Sequence, residues 1–488
     1  MSEEWLFASQ AIGHKYLSPR RCCQASPDHF FLLEFPLVFY FSKMNKMFPS
    51  KYGQIVAISL LVVLGPWALP CLADEDVPVS NYEEFAGELI FDVRMQGNHV
   101  TKDWIIAREI WTTEGEILDV EMVADDITRL ENLAIFGGVV VAATQEPEGV
   151  VLNYSFDEMP WIIPYPAMNY TEENGFSIGV GVASPNFGGR GVALSGSAVF
   201  GGTSMFKFSA SNPWISGNHL SAGLSAWHQT RRNELLDFKQ TSTLIAPRAG
   251  KYIGKNGRLD VDAGYYKITS DEPGRTLNPS NTDEIWYGGV SLGYDGRDSW
   301  RVPHEGWHNE VAVSYMGGDA NSWNLAFDVR RYHPVKDRHT IATGPYLGLQ
   351  SGTVGEDVAP HLQFFVGGAN SVRGYKLEEL GKEIFGKNQF LYTLEYRYLV
   401  LPRGPIRIFK WSFSIGAELA AFGDAGLAWS DPEDFNLSRM RSGAGLGIRL
   451  LVPGLDSVRF DVARSEDGDT VFNFGVRAIF DERKKRVR

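Results

Sequence analysis

The stretch FLYTLEYRY, residues 390–398, places Phe390, Tyr392, Leu394, Tyr396 and Tyr398 on one face of an extended strand and Leu391, Thr393, Glu395 and Arg397 on the other. Aromatic groups on one side and ionised groups on the other are the signature of a strand lying between two media of opposite polarity. The same period of two recurs upstream. Leu259, Val261, Ala263 and Tyr265 alternate with Arg258, Asp260, Asp262 and Gly264, and Trp323, Leu325, Phe327 and Val329 alternate with Asn324, Ala326, Asp328 and Arg330. From 165 to 480 the pattern predicts about sixteen strands with no helix between them, the last four being 411–422, 441–451, 457–464 and 470–480.

A soluble sandwich would also alternate. An export signal and the charges repeated on one face favour a membrane barrel. Lys46 and Lys51 precede an apolar run over 55–69, and the small-residue site Cys71-Leu72-Ala73 follows, so 44–73 reads as a cleaved secretory signal with the mature chain starting near Asp74. A lipoprotein signal at Cys71 is disfavoured by Pro70. Residues 1–43, with their apolar stretch 30–41, make poor sense ahead of an export sequence and read as a miscalled start, Met44 or Met47 being the initiator. The three cysteines, Cys22, Cys23 and Cys71, all precede the junction, so neither a disulfide nor a thiolate metal site is expected in the mature chain.

In lipid an open sheet would leave backbone groups unpaired, so these strands must close on themselves as an all-β transmembrane barrel. Aromatics at 13% and 51 glycines suit short strands, tight turns and aromatic girdles. The final strand points Phe472, Phe474, Val476, Ala478 and Phe480 outward, and a basic tail, 481–488, follows it. A formal charge of -13 argues against nucleic acid as a partner.

Residues 88–160 read differently. A strand over 88–96 ends at Gly97-Asn98. Thr101 is placed to cap a helix through Ile110, and Val120, Val123, Ile127, Leu130 and Leu133 form one apolar face of a second helix over 119–133. Strands 135–143 and 150–157 follow before Pro160, giving a small α+β domain of order βααββ, with 74–87 as its linker.

That order, with the run from Val93 through Gly97-Asn98, Ile110, Gly115, Leu130 and Phe136 to Glu158-Met159-Pro160, resembles a POTRA domain, the polypeptide-binding module of the BamA/TamA superfamily of membrane-protein assembly and secretion barrels. Three stretches of the barrel region resemble motifs of that superfamily in the same order. In LGYDGRDSWRVPHEG, 292–306, Asp295, Arg297, Asp298, Pro303 and Gly306 match a strand end and its Pro/Gly turn. FFVGGANSVRGY, 364–375, is similar to an inward-folded loop with Val372-Arg373-Gly374-Tyr375 at its tip. FGDAGLAW, 422–429, matches a Phe-x-Asp-x-Gly segment.

Strand parity carries these motifs further. With Trp411, Phe413, Ile415, Ala417, Leu419 and Ala421 on one face, Ser412, Ser414, Glu418 and Asp424 face the lumen, as Glu395 does on its own strand. Gly367, Gly368, Gly374 and Gly381 flank Arg373 and suit a chain that folds back into a crowded interior. Arg373 is therefore expected to be held inside the barrel by Asp424, with Glu395 as second partner. If the pair is direct, exchanging Arg373 and Asp424 should restore part of what Arg373→Ala loses.

No enzyme is expected. Gly289-Val290-Ser291-Leu292-Gly293 spells a nucleophile elbow, but the elbow needs a helix after its strand and none follows. His304 and His308 are too isolated to define a metal site, and no cofactor is expected. The resemblance implies a protein that inserts or translocates polypeptides at a bacterial outer membrane. Its expected partners are membrane lipid, unfolded polypeptide clients captured by the α+β domain, and accessory periplasmic proteins or lipoproteins. A two-partner-type secretion pore for one client is the alternative, against which the single POTRA-like copy counts. A passive diffusion pore is the third reading.

Overall fold

The computed structural model describes residues 80–171, 174–217, 219–233, 236–300, 302–375, 384–408, 411–452 and 456–476. The expectations for residues 1–43, the signal segment with its cleavage junction, Gly381, the end of the last strand and the basic tail lie outside them.

The N-terminal domain runs β1 (Ile90–Gln96), α1 (Asp103–Ala107), α2 (Val120–Asn132), β2 (Phe136–Glu146) and β3 (Gly149–Glu158), with β3 central, parallel to β1 and antiparallel to β2. Period two puts Val139, Val141 and Ala143 of β2 and Val150, Leu152, Tyr154 and Phe156 of β3 on one face, where they bury Ile105, Ile106, Val123 and Leu130 of the helices. Tyr82, inside the stretch expected to be linker, is buried in the same core. Asp119 caps α2, its carboxylate accepting from the Glu121 amide at 3.0 Å. One acid lies inside this core. Asp126 accepts from the Trp111 and Thr112 amides at 2.8 and 3.1 Å, from Tyr154 Oη at 3.0 Å and from Arg129. Burial beside that carboxylate pushes the Tyr154 phenol well above its usual range.

Helix α1 departs from expectation. It starts after Lys102, and Thr101 is not its cap. The Glu158 carboxylate gathers the amides of His99, Val100 and Thr101 at 3.0, 2.8 and 2.7 Å, which leaves the Thr101 hydroxyl to accept from Asn186 Nδ2 at 2.8 Å. Thr101 serves an interdomain contact instead.

Among the described residues, sixteen further strands form one antiparallel sheet. They are β4 (Ile163–Thr171), β5 (Gly175–Phe187), β6 (Val192–Gly201), β7 (Ser204–Ser216), β8 (Leu220–Arg232), β9 (Lys239–Ile253), β10 (Gly257–Ser270), β11 (Thr282–Asp295), β12 (Gly306–Gly318), β13 (Ser322–Lys336) and β14 (His339–Gln350). After two short strands in a long loop, β15 (Phe364–Phe365) and β16 (Phe385–Gly386), come β17 (Asn388–Ile408), β18 (Trp411–Trp429), β19 (Arg441–Val452), β20 (Asp456–Ser465) and β21 (Thr470–Val476). Strand β18 is longer than the 411–422 expected and contains the whole 422–429 motif.

The faces sort as the parity requires. Leu259, Val261, Trp323, Tyr392, Leu394 and Leu446 are exposed on the outer surface, whereas Asp328, Arg330, Glu395, Arg397, Asp424 and Asp461 are buried on the inner one. An apolar exterior around an ionised interior inverts a soluble protein and suits a barrel in lipid. The loop between β14 and β17 shows that the sheet is rolled. His361 in this loop lies 6.2 Å from Tyr266 of β10, while Asn370, nearby in the same loop, accepts from Arg459 of β20 at 2.9 Å. In a flat sheet β10 and β20 would stand about 38 Å apart, beyond the roughly 32 Å that the chain from His361 to Asn370 can span.

The N-terminal domain sits on four consecutive turns at one mouth. Lys102 donates its amide to Gly189 O at 3.0 Å, Arg108 donates to Trp214 O at 3.0 Å, Lys255 pairs with Asp125 at 2.8 Å, and the Trp300 amide reaches Asn132 Oδ1 at 3.4 Å. Gly189 has φ +70°, and a Cβ there would fall 1.9 Å from Val100 O.

Candidate functional site

The described residues 351–375 of the loop between β14 and β17 enter the barrel from the mouth opposite the N-terminal domain. Val358, Ala359 and Leu362 join a buried cluster with Trp227, Leu244, Tyr266, Ile268 and Ile285 on the inner wall, and Val366, Val372 and Tyr375 join a second with Tyr346, Leu391 and Ala428. The tip can approach the wall because the wall is made of glycine there. A Cβ at Gly443 would stand 1.9 Å from Arg373 O, and one at Gly374, whose φ is +108°, would stand 2.7 Å from Ser465 N.

Arg373 is fully buried. Its Nε donates to Asp424 Oδ2 at 2.6 Å and its Nη2 to Asp424 Oδ1 at 2.9 Å, while its amide also donates to Oδ2 at 3.2 Å. Nη1 donates to Glu395 Oε1 at 3.0 Å and to Asp461 Oδ2 at 3.1 Å. The guanidinium plane rests 3.3 Å from the centre of the Phe422 ring. The planar fork makes four side-chain bonds to three carboxylates, two of them to Asp424, and an ammonium with three donors cannot reproduce that set.

Three further arginines complete the charge balance; of these the sequence reading placed Arg397 on the ionised face and did not name Arg449 or Arg459. Arg449 Nη2 donates to Glu395 at 2.8 Å and its Nη1 to Asp461. Arg397 Nε donates to Glu395 Oε2 at 3.0 Å, and Arg459 donates to Asp461 at 3.3 Å and to Asn370 Oδ1 in the loop at 2.9 Å. Glu418, also buried, is the register neighbour of Arg449. Four cations thus face four acids, as a cluster removed from water requires. Asp461 was not singled out from the sequence, since nothing local ties a residue on β20 to a loop 88 positions earlier.

The other expected residues fall into separate groups. Tyr375 Oη donates to Glu466 at 3.0 Å, closing the tip against the β20–β21 turn. Asp295, Arg297, Asp298, Pro303 and Gly306 lie at the opposite mouth. Asp295 pairs with Arg297 at 2.6 Å and lies 3.3 Å from His308 Nδ1. The Asp298 carboxylate takes the amides of Ser299, His304 and Glu305 at 2.9, 3.0 and 3.1 Å, so it builds the turn that carries Trp300 to the N-terminal domain. Pro303 is buried, and a Cβ on Gly306 would stand 2.1 Å from Gly296 O. Between the two groups lies buried Tyr332, register partner of Gly306, with the Arg397 guanidinium 5.8 Å from its ring centre. His304 is engaged by Thr340 at 3.0 Å.

A family model described as the Omp85 superfamily domain matches residues 186–480, and one described as the surface antigen variable number repeat, POTRA, matches 89–159. The chain is 23% identical over 395 residues to the outer membrane protein assembly factor BamA of Nitratidesulfovibrio vulgaris, covering 75% of this chain and 47% of that protein. It is 27% identical over 418 residues to outer envelope protein 80, chloroplastic, of Arabidopsis thaliana, covering 72% and 53%. The chain therefore spans about half the length of these curated relatives. BamA from Haemophilus ducreyi lacking POTRA domains 1-3 superposes with a TM-score of 0.51 at 17% identity, over 79% of this chain and 83% of that one. With its inward loop, ionised lumen and α+β domain at one mouth, the chain belongs to the Omp85 superfamily, as an outer-membrane barrel whose POTRA domain lies in the periplasm.

Proposed function

We propose that this protein inserts or translocates polypeptides at the outer membrane, with clients captured as extended chains by the POTRA domain. The observation that carries the reading is the pinned loop. A barrel whose interior is crossed by a segment tied to three strands, and whose outer end holds a buried apolar cluster, is poorly suited to passive diffusion. The POTRA sheet offers a docking edge. Beyond Ile90, the outer side of β1 has no backbone partner among the described residues, whereas on β2 the side chains of Ser80 and Asn81 already engage Val141 and Ala143. A free edge binds extended peptide through its backbone and tolerates varied sequences. The work requires no cofactor or catalytic step, since client folding supplies the driving force. Accessory periplasmic proteins or lipoproteins would dock on the POTRA surface turned away from the barrel.

Depleting the protein and taking an inventory of outer-membrane and secreted proteins tests the reading. Broad loss of barrels is the expected result. Loss of one exported protein alone would mark a dedicated secretion pore, and an unchanged inventory would overturn both.

A further inference from the structure

On the outer surface, near the external end of β10–β12, a cavity of about 480 Å³ is lined by Tyr265, Asn278, Ser280, Glu284, Trp286 and Asp319, among others. Tyr265 and Trp286 are direct cross-strand partners and both are exposed. They continue into a row of rings across the next two strands, Trp286 to Tyr315 at 5.6 Å and Tyr315 to Trp323 at 5.1 Å. Such a row marks the level where hydrocarbon gives way to headgroups. Above it, Asn278 and Ser280 come from the β10–β11 loop and Asp319 from the β12–β13 turn. The cavity therefore has an aromatic floor on its membrane side and polar walls on its water side. It opens at headgroup depth in the external leaflet.

The polar groups define what fits. Lys267 Nζ pairs with Glu284 Oε1 at 2.5 Å, Asn278 Nδ2 donates to Asp319 Oδ1 at 3.1 Å, and the Glu284 amide donates to Asp319 Oδ2 at 2.7 Å. Each carboxylate keeps lone pairs beyond these bonds, since an ionised carboxylate offers about four acceptor sites. Two acids against one lysine leave the pocket net negative, which disfavours a phosphate. A neutral polyhydroxyl ligand brings the donors that the carboxylates lack, and the C–H face of a pyranose suits an indole floor. We propose that this cavity binds the saccharide headgroup of a glycolipid in the external leaflet, seating the barrel against that lipid at the β10–β12 wall.

The test uses the full chain carrying a photo-crosslinking benzoylphenylalanine at position 280, reconstituted in phosphatidylethanolamine–phosphatidylglycerol vesicles with rising fractions of a neutral diglycosyl diacylglycerol. Expected is saturable crosslinking to the glycolipid that falls roughly tenfold in Trp286→Ala and in Glu284→Gln. It should be unchanged in Phe206→Ala, an exposed outward ring elsewhere on the wall. The free neutral disaccharide of that headgroup should compete, and inorganic phosphate should not. Heat-modifiable migration of every variant confirms a folded barrel. Non-saturable labelling, labelling equal across the variants, or competition by phosphate instead of the disaccharide would each overturn the proposal.

Discussion

Arg373 grips Asp424 at two points, Nε to Oδ2 at 2.6 Å and Nη2 to Oδ1 at 2.9 Å, and brings its own backbone amide to the same carboxylate. Side chain and main chain of the loop tip are thereby fixed to one residue of β18.

Arg373→Ala should release the loop without unfolding the barrel. It leaves Asp424, Glu395 and Asp461 buried without their shared cation, a local cost of about 3–5 kcal/mol for breaking a buried pair. The barrel itself is held by a ladder that Arg373 does not join. Protease cleavage within 351–387 should rise while heat-modifiable migration is kept and client assembly falls. Arg373→Lys should recover little, because one ammonium cannot reproduce the fork. An uncut loop in Arg373→Ala would contradict this account.

Exchanging Arg373 and Asp424 should fail to rescue, contrary to the expectation from a simple pair. An aspartate at 373 would face Glu395 and Asp461, which lie 3.0 and 3.1 Å from the present guanidinium. The double variant should be no better than Arg373→Asp in client assembly, and recovery to near the native level would show that Asp424 alone matters.

Asp461→Ala should match Arg373→Ala in its effect on the loop. Removing this acid leaves Arg373, Arg449 and Arg459 facing one another around Glu395, again on the order of 3–5 kcal/mol. Because Arg459 also holds Asn370 and Ala369 of the loop, Arg459→Ala should give a partial release. Protease accessibility of the loop ranks the three variants.

Acid should loosen the outer half of the loop. Burial pushes the His361 imidazole down to about 4, and its neutral ring sits 3.3 Å from Arg275 O, positioned to donate through Nδ1. A depressed folded value means that the contribution is fully present above the ordinary value of about 6.5 and is lost as pH falls toward 4, on the order of 3 kcal/mol in all. Cleavage within 351–387 should therefore increase between neutral pH and pH about 4.5, and His361→Gln should flatten that dependence. A pH-independent native loop would refute it.

Arg108→Ala should loosen the POTRA domain's seat on the barrel mouth. The guanidinium lies 5.3 Å from the Trp104 ring centre and 4.7 Å from that of Trp214, and donates to Trp214 O. Losing these contacts should cost about 1–3 kcal/mol. Hydrogen exchange in 103–107 and at the β5–β6 and β7–β8 turns reads it. Removing 80–160, the whole packed domain including Tyr82, should leave a folded barrel that has lost client assembly.

The sequence by itself determined the strand faces, because period two is a property of the extended backbone and lipid on one side admits only one register of apolar residues. It also named Asp424 and Glu395 as inward and Arg373 as a loop cation. Helix α1 was legible only in part: Thr101 has a capping residue's chemistry, but Glu158 and Asn186 claim its amide and hydroxyl. Only the tertiary structure decided which inward charges meet. Rolling the sheet brings Asp461, Arg449 and Arg459 of β19 and β20 to a loop that precedes them by more than 70 residues, and no local pattern encodes that distance. Burial then makes the pairing obligatory, since an ion taken out of water must find its counter-charge wherever the fold has placed it.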